Sequence, residues 1–261
     1  MSLVKIGILG GTGNTGGGLA LRLSLKHDVT VGSRSGDKAG EAAGELGAKA
    51  RGFYQAAMRG SITGALNEDA VEGREIVIET LPASAAVTTL TTIKDRFTPG
   101  QVVVSCVVPM KRHGKLYTWS PVVAGGRDQS RSAAELIQEA VPTARVVSAF
   151  QTVPAQYLND INGILDVLVA GDDVAAVETV MGLVRDIPGL RPLRVGPLEN
   201  SKWVESLTPA AERGDPERAT RPLYQDCAMD PRRCRFKSLH RVGIAEGVEL
   251  APGEGFEPSS P

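Results

Sequence analysis

The stretch Gly10-Gly11-Thr12-Gly13-Asn14-Thr15-Gly16 constrains this chain more than any other. The apolar run Val4–Leu9 precedes it, and Leu19–Leu25 follows with helical spacing. A strand therefore feeds through a glycine turn into a helix. Gly11, Gly13 and Gly16 fit G-x-G-x-x-G, and each glycine has its own reason. Gly11 allows the tight turn, Gly13 lets the backbone approach a pyrophosphate, and Gly16 lets the helix pack closely on the strand. The unpaired N–H groups of the first helical turn, with Thr12 and Asn14 beside them, suit an anionic ligand. A turn that merely joins strand to helix is the plainer alternative. The spacing and both flanks together weigh against it.

The rest of the chain repeats the same alternation. Val- and Ile-rich runs lie at Val29–Val31, Ile76–Ile78, Val102–Val104, Val146–Val147 and Val167–Val169. Stretches with apolar residues three or four apart separate them, at Lys38–Leu46, Ala83–Ile93, Ala133–Ala140 and Val174–Val184. Short apolar strands linked by amphipathic helices imply crossover units, hence an α/β fold with a doubly wound parallel sheet. No internal repeat of fixed period is present. Residues 1–155 are expected to form the nucleotide-binding domain and 156–209 a small C-terminal α/β lobe.

The pattern changes after Pro209. Of the 52 residues from Ala210 to Pro261, only eight are Ile, Leu, Val or Phe, and six are Pro. So little apolar side chain does not offset the entropy of ordering, and residues 210–261 are expected to be a low-order tail. The closing Gly253-Glu254-Gly255-Phe256-Glu257-Pro258-Ser259-Ser260 resembles the peptide made when a reading frame runs through a transfer-RNA gene, and the tail reads as a frameshift product.

Charge narrows the function class. The chain has 29 Lys and Arg against 30 Asp and Glu, a net charge of -1. That balance argues against a nucleic-acid or membrane-surface protein, which usually carries a basic excess. No run approaches the roughly 18 apolar residues of a membrane span. The leading apolar run is too short for a signal peptide, and three Cys do not make a disulfide framework. The expectation is a cytoplasmic protein.

The second strand ends in Val31-Gly32-Ser33-Arg34. An NAD site would place an Asp or Glu about 20 residues past the loop to bond the ribose hydroxyls. Here a hydroxyl and a guanidinium stand instead, with Lys38 one helical turn on. Ser33, Arg34 and Lys38 suit the 2′-phosphate of NADP(H), because Arg offers charged, paired hydrogen bonds. Ligands of such sheets lie beyond the C-terminal strand ends. Three of those ends lead into apolar or Pro-containing turns, at Leu81-Pro82, Val108-Pro109 and Thr152-Val153-Pro154. These residues are candidates for a rigid apolar rim around a nicotinamide.

Acid–base machinery is scarce. His27 ends the first helix, where a solvated or capping role is expected. His113 lies in the basic stretch Lys111–Lys115, read as a loop, and His240 lies in the tail. Cys227, Cys234 and His240 do not have zinc-site spacing, so no metal is assigned. Glu79 and Cys106 close apolar strands, and Cys106 reads as packing. No catalytic side chain is assigned. Hydride transfer between two redox coenzymes needs alignment and exclusion of water more than proton donors.

Several segments together carry a resemblance. They are Gly10–Asn14, Val31–Arg34 with Lys38, Ser61-Ile62-Thr63-Gly64 with Asn67-Glu68-Asp69-Ala70, and Arg131-Ser132-Ala133-Ala134-Glu135. Gly189-Leu190-Arg191-Pro192-Leu193 and Gly196–Ser201 leading to Val204–Pro209 complete the set. On these the chain resembles the NADPH-dependent reductases of the deazaflavin coenzyme F-420 over residues 3–209. Many members have His where Gln151 stands. The resemblance implies a Rossmann domain with a small lobe, NADP(H) as cofactor and coenzyme F-420 as co-substrate, with hydride passing directly between the rings. It also implies that Ser33, Arg34 and Lys38 hold the 2′-phosphate. Expected partners are small-molecule redox coenzymes, without nucleic acid or membrane, and a homodimer is compatible with the chain. Two other readings stay open. An imine or pyrroline-carboxylate reductase shares the N-terminal pattern, and a non-catalytic NADPH-binding regulatory module would bind nucleotide without turnover.

Overall fold

The computed structural model describes residues 3–113, 116–121, 131–159 and 164–212. In chain order the elements are β1 (Lys5–Leu9), α1 (Asn14–Leu23), β2 (Asp28–Ser33), α2 (Gly36–Tyr54), β3 (Ile62–Leu66), β4 (Ile76–Glu79), α3 (Ala83–Thr92), β5 (Val102–Ser105), β6 (Met110–His113) and β7 (Leu116–Trp119). They continue with α4 (Ala133–Ala140), β8 (Arg145–Ser148), α5 (Ala155–Asn159), β9 (Leu165–Gly171), α6 (Val174–Arg185), β10 (Leu190–Arg194) and α7 (Ser201–Glu212).

Eight strands form one sheet in the order β10-β9-β8-β5-β4-β1-β2-β3. Every pairing is parallel except β8 with β9. The strand order reverses at β1, with β2 and β3 on one side and β4, β5 and β8 on the other. A doubly wound sheet opens its ligand crevice at such a switch point. The expected Rossmann-type fold is therefore present, and the one antiparallel pairing carries β9 and β10 at the sheet's far end.

The strands read as continuous apolar runs because both faces are covered. Ile6, Ile8, Val29, Val31, Ile76 and Ile78 pack against Leu19 and Leu23 of α1, while Leu158 of α5 and Val177 and Val180 of α6 extend the same layer. Leu9, Val77, Val103 and Val146 alternate onto the opposite face, under Ala86 and Leu90 of α3 and Ile137 of α4. Each fully buried Ile, Leu or Val contributes about 1.5–3 kcal/mol.

Four features differ from the sequence reading. The basic stretch after Pro109 is not a loop: Met110–His113 and Leu116–Trp119 pair as an antiparallel hairpin. β3 is a further parallel strand at the edge beyond β2, disguised by Gly64 in a short run. Gly64 is required there, since a Cβ would stand 2.3 Å from the Ala39 carbonyl oxygen. β10 contains Pro192, which suits an edge strand because Pro donates nothing to the ladder. Helix α7 runs past Pro209 to Glu212. The remainder of the expected tail, with Cys227, Cys234 and His240, lies outside the described residues.

His27 corrects a further expectation. It is fully buried, and its Nε2 meets Asp186 Oδ2 at 3.2 Å, while Lys26 Nζ donates to Asp186 Oδ1 at 2.7 Å. Burial lowers the His27 pKa below 6.5, against the opposing pull of Asp186. A depressed imidazole favours the neutral folded state. Stability from this residue is thus complete above about 6.5 and declines as pH falls below it. We expect His27→Gln to melt below the native protein at pH 8, with the gap in Tm narrowing on acidification. A gap that widens on acidification would reverse the sign of this coupling.

Candidate functional site

The site is built from the turn between β1 and α1 outward. Gly10 adopts φ +71°, a left-handed conformation that favours glycine. Its N–H donates to Asn67 Oδ1 at 3.2 Å, and the Gly11 N–H donates to the Gly32 carbonyl at 2.9 Å. A Cβ on Gly11 would stand 2.9 Å from Val31 Cγ1, and one on Gly16 would stand 2.7 Å from both Gly11 Cα and Thr80 Oγ1. Gly16 therefore sets how closely α1 approaches the sheet. Gly13 differs: a Cβ there would meet only the Gly10 carbonyl oxygen, at 3.3 Å. The outer side of Gly13 is open, as a ligand's approach requires.

Gly13 is also the N-cap of α1 and has no side chain to cap it. The first-turn N–H groups thus lack a side-chain acceptor, and the helix dipole adds partial positive charge at that point. Thr12, Gly13 and Asn14 are exposed beside them.

The neighbouring strand β2 brings in the second cluster. Ser33 is buried at its end and accepts the Ser35 N–H at 3.4 Å. Ser35 caps α2 by accepting the Lys38 N–H. Arg34 and Lys38 are exposed, and neither forms an ion pair with a described residue. Two free cations at a helix N-terminus, one strand from an open glycine loop, form a setting for a phosphate adjacent to a pyrophosphate.

On the other side of β1 the strand ends fall level. The register aligns Leu9 with Glu79, Glu79 with Ser105, and Ser105 with Ser148. The turns carrying Leu81 and Pro82, Val108 and Pro109, and Thr152 and Pro154 therefore leave one edge of the sheet in sequence. Leu81 lies against the glycine loop, since a Cβ on Gly10 would stand 3.0 Å from Leu81 Cδ2. Leu81, Val108, Thr152 and Pro154 are half-buried and Pro82 is exposed, whereas Pro109 is buried. Thr152 Oγ1 is engaged with the Asp166 carbonyl at 3.5 Å. Phe150 leads the last of these turns at φ +72°, a strained conformation for a bulky residue that costs about 1–3 kcal/mol.

The same edge holds buried polar groups that the sequence reading used little or not at all. Glu79 is fully buried, its Oε1 accepts the Leu81 N–H at 2.7 Å, and its Oε2 has no partner. Burial, reinforced by Glu205, raises its pKa to about 8. Burial and Glu79 together hold the Cys106 thiol well above its usual range. Glu205 of α7 accepts the N–H groups of Ala133 and Ala134 at the start of α4, and burial raises it to about 7. Gln151 Nε2 donates to the Ser105 carbonyl and to Ser148 Oγ. Asn67, which holds the Gly10 N–H and lies against Gly32, had a visible signal, because it sits in one of the segments that carry the resemblance. Neither ring nitrogen of His27 is near this edge: the residue precedes β2 and lies at the sheet's opposite end.

Among the described residues no helix is long and apolar enough to cross a membrane.

Comparison with known proteins bears on the family and the fold. The profile of the family described as "NADP oxidoreductase coenzyme F420-dependent" matches residues 5–109. The F420-dependent NADP reductase of Methanocaldococcus jannaschii is 36% identical over 216 residues, spanning 79% of this chain and 90% of the relative. That of Methanothermobacter marburgensis is 33% identical over 213 residues, with 79% and 90% covered. The crystal structure of a proposed F420-dependent NADP reductase from Arthrobacter sp. FB24 superposes with a TM-score of 0.64 at 25% identity, covering 80% of this chain and 92% of that one. With a third of its residues shared over nine-tenths of those relatives' length, the chain belongs to the family of F420-dependent NADP reductases.

Proposed function

We propose that this protein transfers hydride directly between NADP(H) and the deazaflavin coenzyme F-420. The observation that carries the reading is the meeting of three features at one switch point. They are an open glycine loop on an uncapped helix, two exposed cations beyond β2, and level turns beyond β4, β5 and β8. Gly11, Gly13, Gly16, Thr12 and Asn14 would cradle the pyrophosphate, and Ser33, Arg34 and Lys38 the 2′-phosphate. Leu81, Pro82, Val108, Pro109, Thr152 and Pro154 would border the nicotinamide, and the facing side of that rim would admit the deazaflavin. The two coenzymes supply the redox chemistry. The chain's part is to fix their approach and keep water from between them. The reading needs no nucleic acid and no membrane. It is compatible with a cytoplasmic homodimer, which sedimentation of the purified protein would check.

The testing experiment mixes purified protein with NADPH and F-420 and follows both absorbances. Equal loss of NADPH and oxidised F-420 is expected, and NADPH binding without turnover would favour the regulatory-module reading. His113 is exposed on β6, outside the proposed coenzyme contacts. His113→Ala should therefore keep turnover within about threefold of native. A loss of several orders of magnitude in kcat at unchanged coenzyme affinity would assign it an acid–base role instead.

A further inference from the structure

We infer that Glu79 is a positioning residue for the nicotinamide end of the site, acting as a neutral carboxylic acid that sets the Leu81-Pro82 turn. The inference rests on the reading that this turn borders the nicotinamide, and it concerns a residue with no solvent contact of its own.

The geometry makes Glu79 the hinge between the core and that turn. It is the last residue of β4, level with Leu9 at the start of the glycine loop and with Ser105 at the end of β5. Its Oε1 holds the Leu81 N–H at 2.7 Å. Thr80, between the two, donates its hydroxyl to the Leu9 carbonyl at 2.8 Å and packs against Gly16. One carboxyl therefore ties the β4 turn to the same loop that would carry the pyrophosphate. Without the Oε1 acceptor, the Leu81 N–H loses its partner, and the turn is held only through Thr80 and Leu9.

The second oxygen argues for the neutral form. Oε2 is buried with no hydrogen-bond partner. Two titratable groups are coupled to Glu79 from the elements around it: the Glu205 carboxyl of α7 raises its pKa, and Glu79 in turn raises that of the Cys106 thiol just past β5. Neither is a cation. Of the adjacent strand, β1, only the apolar Leu9 is level with it. A buried carboxylate facing a thiol and a second carboxyl has only the Leu81 N–H to offset its desolvation, and a neutral carboxylic acid costs far less to bury. Ionisation would draw water towards the strand end or swing the carboxyl out, and either event moves Leu81.

The experiment measures NADPH affinity directly, by nucleotide fluorescence, for the native protein, Glu79→Gln and Glu79→Leu. The series runs from neutral pH to well above 8. F-420 reduction at saturating NADPH is recorded in parallel. Gln keeps an oxygen acceptor for Leu81 and cannot ionise. The native protein should lose NADPH affinity as pH rises past 8, and Glu79→Gln should bind like native at neutral pH without the alkaline loss. Glu79→Leu leaves a buried donor unsatisfied, so its affinity should fall about tenfold at every pH while kcat at saturation is retained. The same alkaline loss in Glu79→Gln, or native affinity in Glu79→Leu, would overturn the inference. Should Glu79→Leu fail to fold, the comparison of native with Glu79→Gln still decides it. Because binding is read without F-420, absent turnover in the native protein would count against the proposed function and leave this result readable.

Discussion

Arg34→Ala is expected to raise the Kd for NADPH by roughly 10- to 150-fold and to leave that for NADH almost unchanged. The range follows from the loss of one charge-assisted hydrogen bond, about 1.5–3 kcal/mol, at 1.4 kcal/mol per tenfold. Two observations make the change clean. Arg34 is exposed and has no ion pair with a described residue, so its removal leaves no buried carboxylate behind. No acid stands at the end of β2 to hold the hydroxyls of NADH in its place. Fluorescence titration with both nucleotides is the measurement. Equal weakening of NADPH and NADH would mean that Arg34 supports the loop rather than a 2′-phosphate. Arg34→Lys should recover part of the loss only, since an ammonium is a point charge without the planar fork.

Gly13→Ala and Gly16→Ala should separate binding from folding. At Gly13 the backbone is extended, φ −80° and ψ 169°, which any residue adopts, and a methyl would meet only one carbonyl oxygen. The fold should tolerate it, at a cost of about 0.5–1 kcal/mol, since Ala is a poorer N-cap than Gly. The same methyl would occupy the open side of the loop, so NADPH and NADH should both bind at least about tenfold more weakly, with Tm lowered by no more than about 4 °C. At Gly16 the methyl would collide with Gly11 Cα, Thr80 Oγ1 and the Gly10 carbonyl, all within 2.9 Å. Two of those atoms are backbone and cannot rotate away. Overpacking of that kind costs about 1–3 kcal/mol, so Tm should fall by roughly 2–12 °C. Thermal melts and nucleotide titrations on the two variants give the comparison. A Gly13→Ala protein that binds both nucleotides normally would remove the loop from the proposed site.

The contrast between those glycines shows where the sequence was readable. The strand, the glycine turn and the start of α1 are contiguous, and their requirements are steric and local. Spacing alone therefore identified the turn. The Val- and Ile-rich runs identified β4, β5, β8 and β9 for a related reason: a strand covered on both faces must be apolar throughout. Runs broken by a special residue were missed. Gly64 hid β3 and Pro192 hid β10, because each looks like a breaker until its neighbour is known. For Gly64 the neighbour is the α2 backbone, and for Pro192 it is the open side of an edge strand. Charge in one strand (Lys111, Arg112) and aromatics in the other (Tyr117, Trp119) hid the hairpin, whose pairing is fixed by cross-strand contact rather than by either strand alone.

Long-range partners were beyond the sequence in every case. Position at a helix end suggests solvent for His27, yet the fold brings Asp186 to it across 159 residues and buries both. Asn67 reaches the Gly10 N–H across 57 residues, and Glu205 reaches the start of α4 across 72 and 71. Glu79 could be read as the end of an apolar strand. That no described cation faces it could not, because that depends on what β5 and α7 place around it. By itself, the sequence determined the repeating strand–helix order, the phosphate-binding turn and the cationic end of β2, since each needs only residues close in the chain. Tertiary structure alone decided the order and register of the strands, and with them which turns share an edge and which carboxyls are buried together. Those properties arise from packing between distant segments, where desolvation and steric fit act on residues that no local pattern connects.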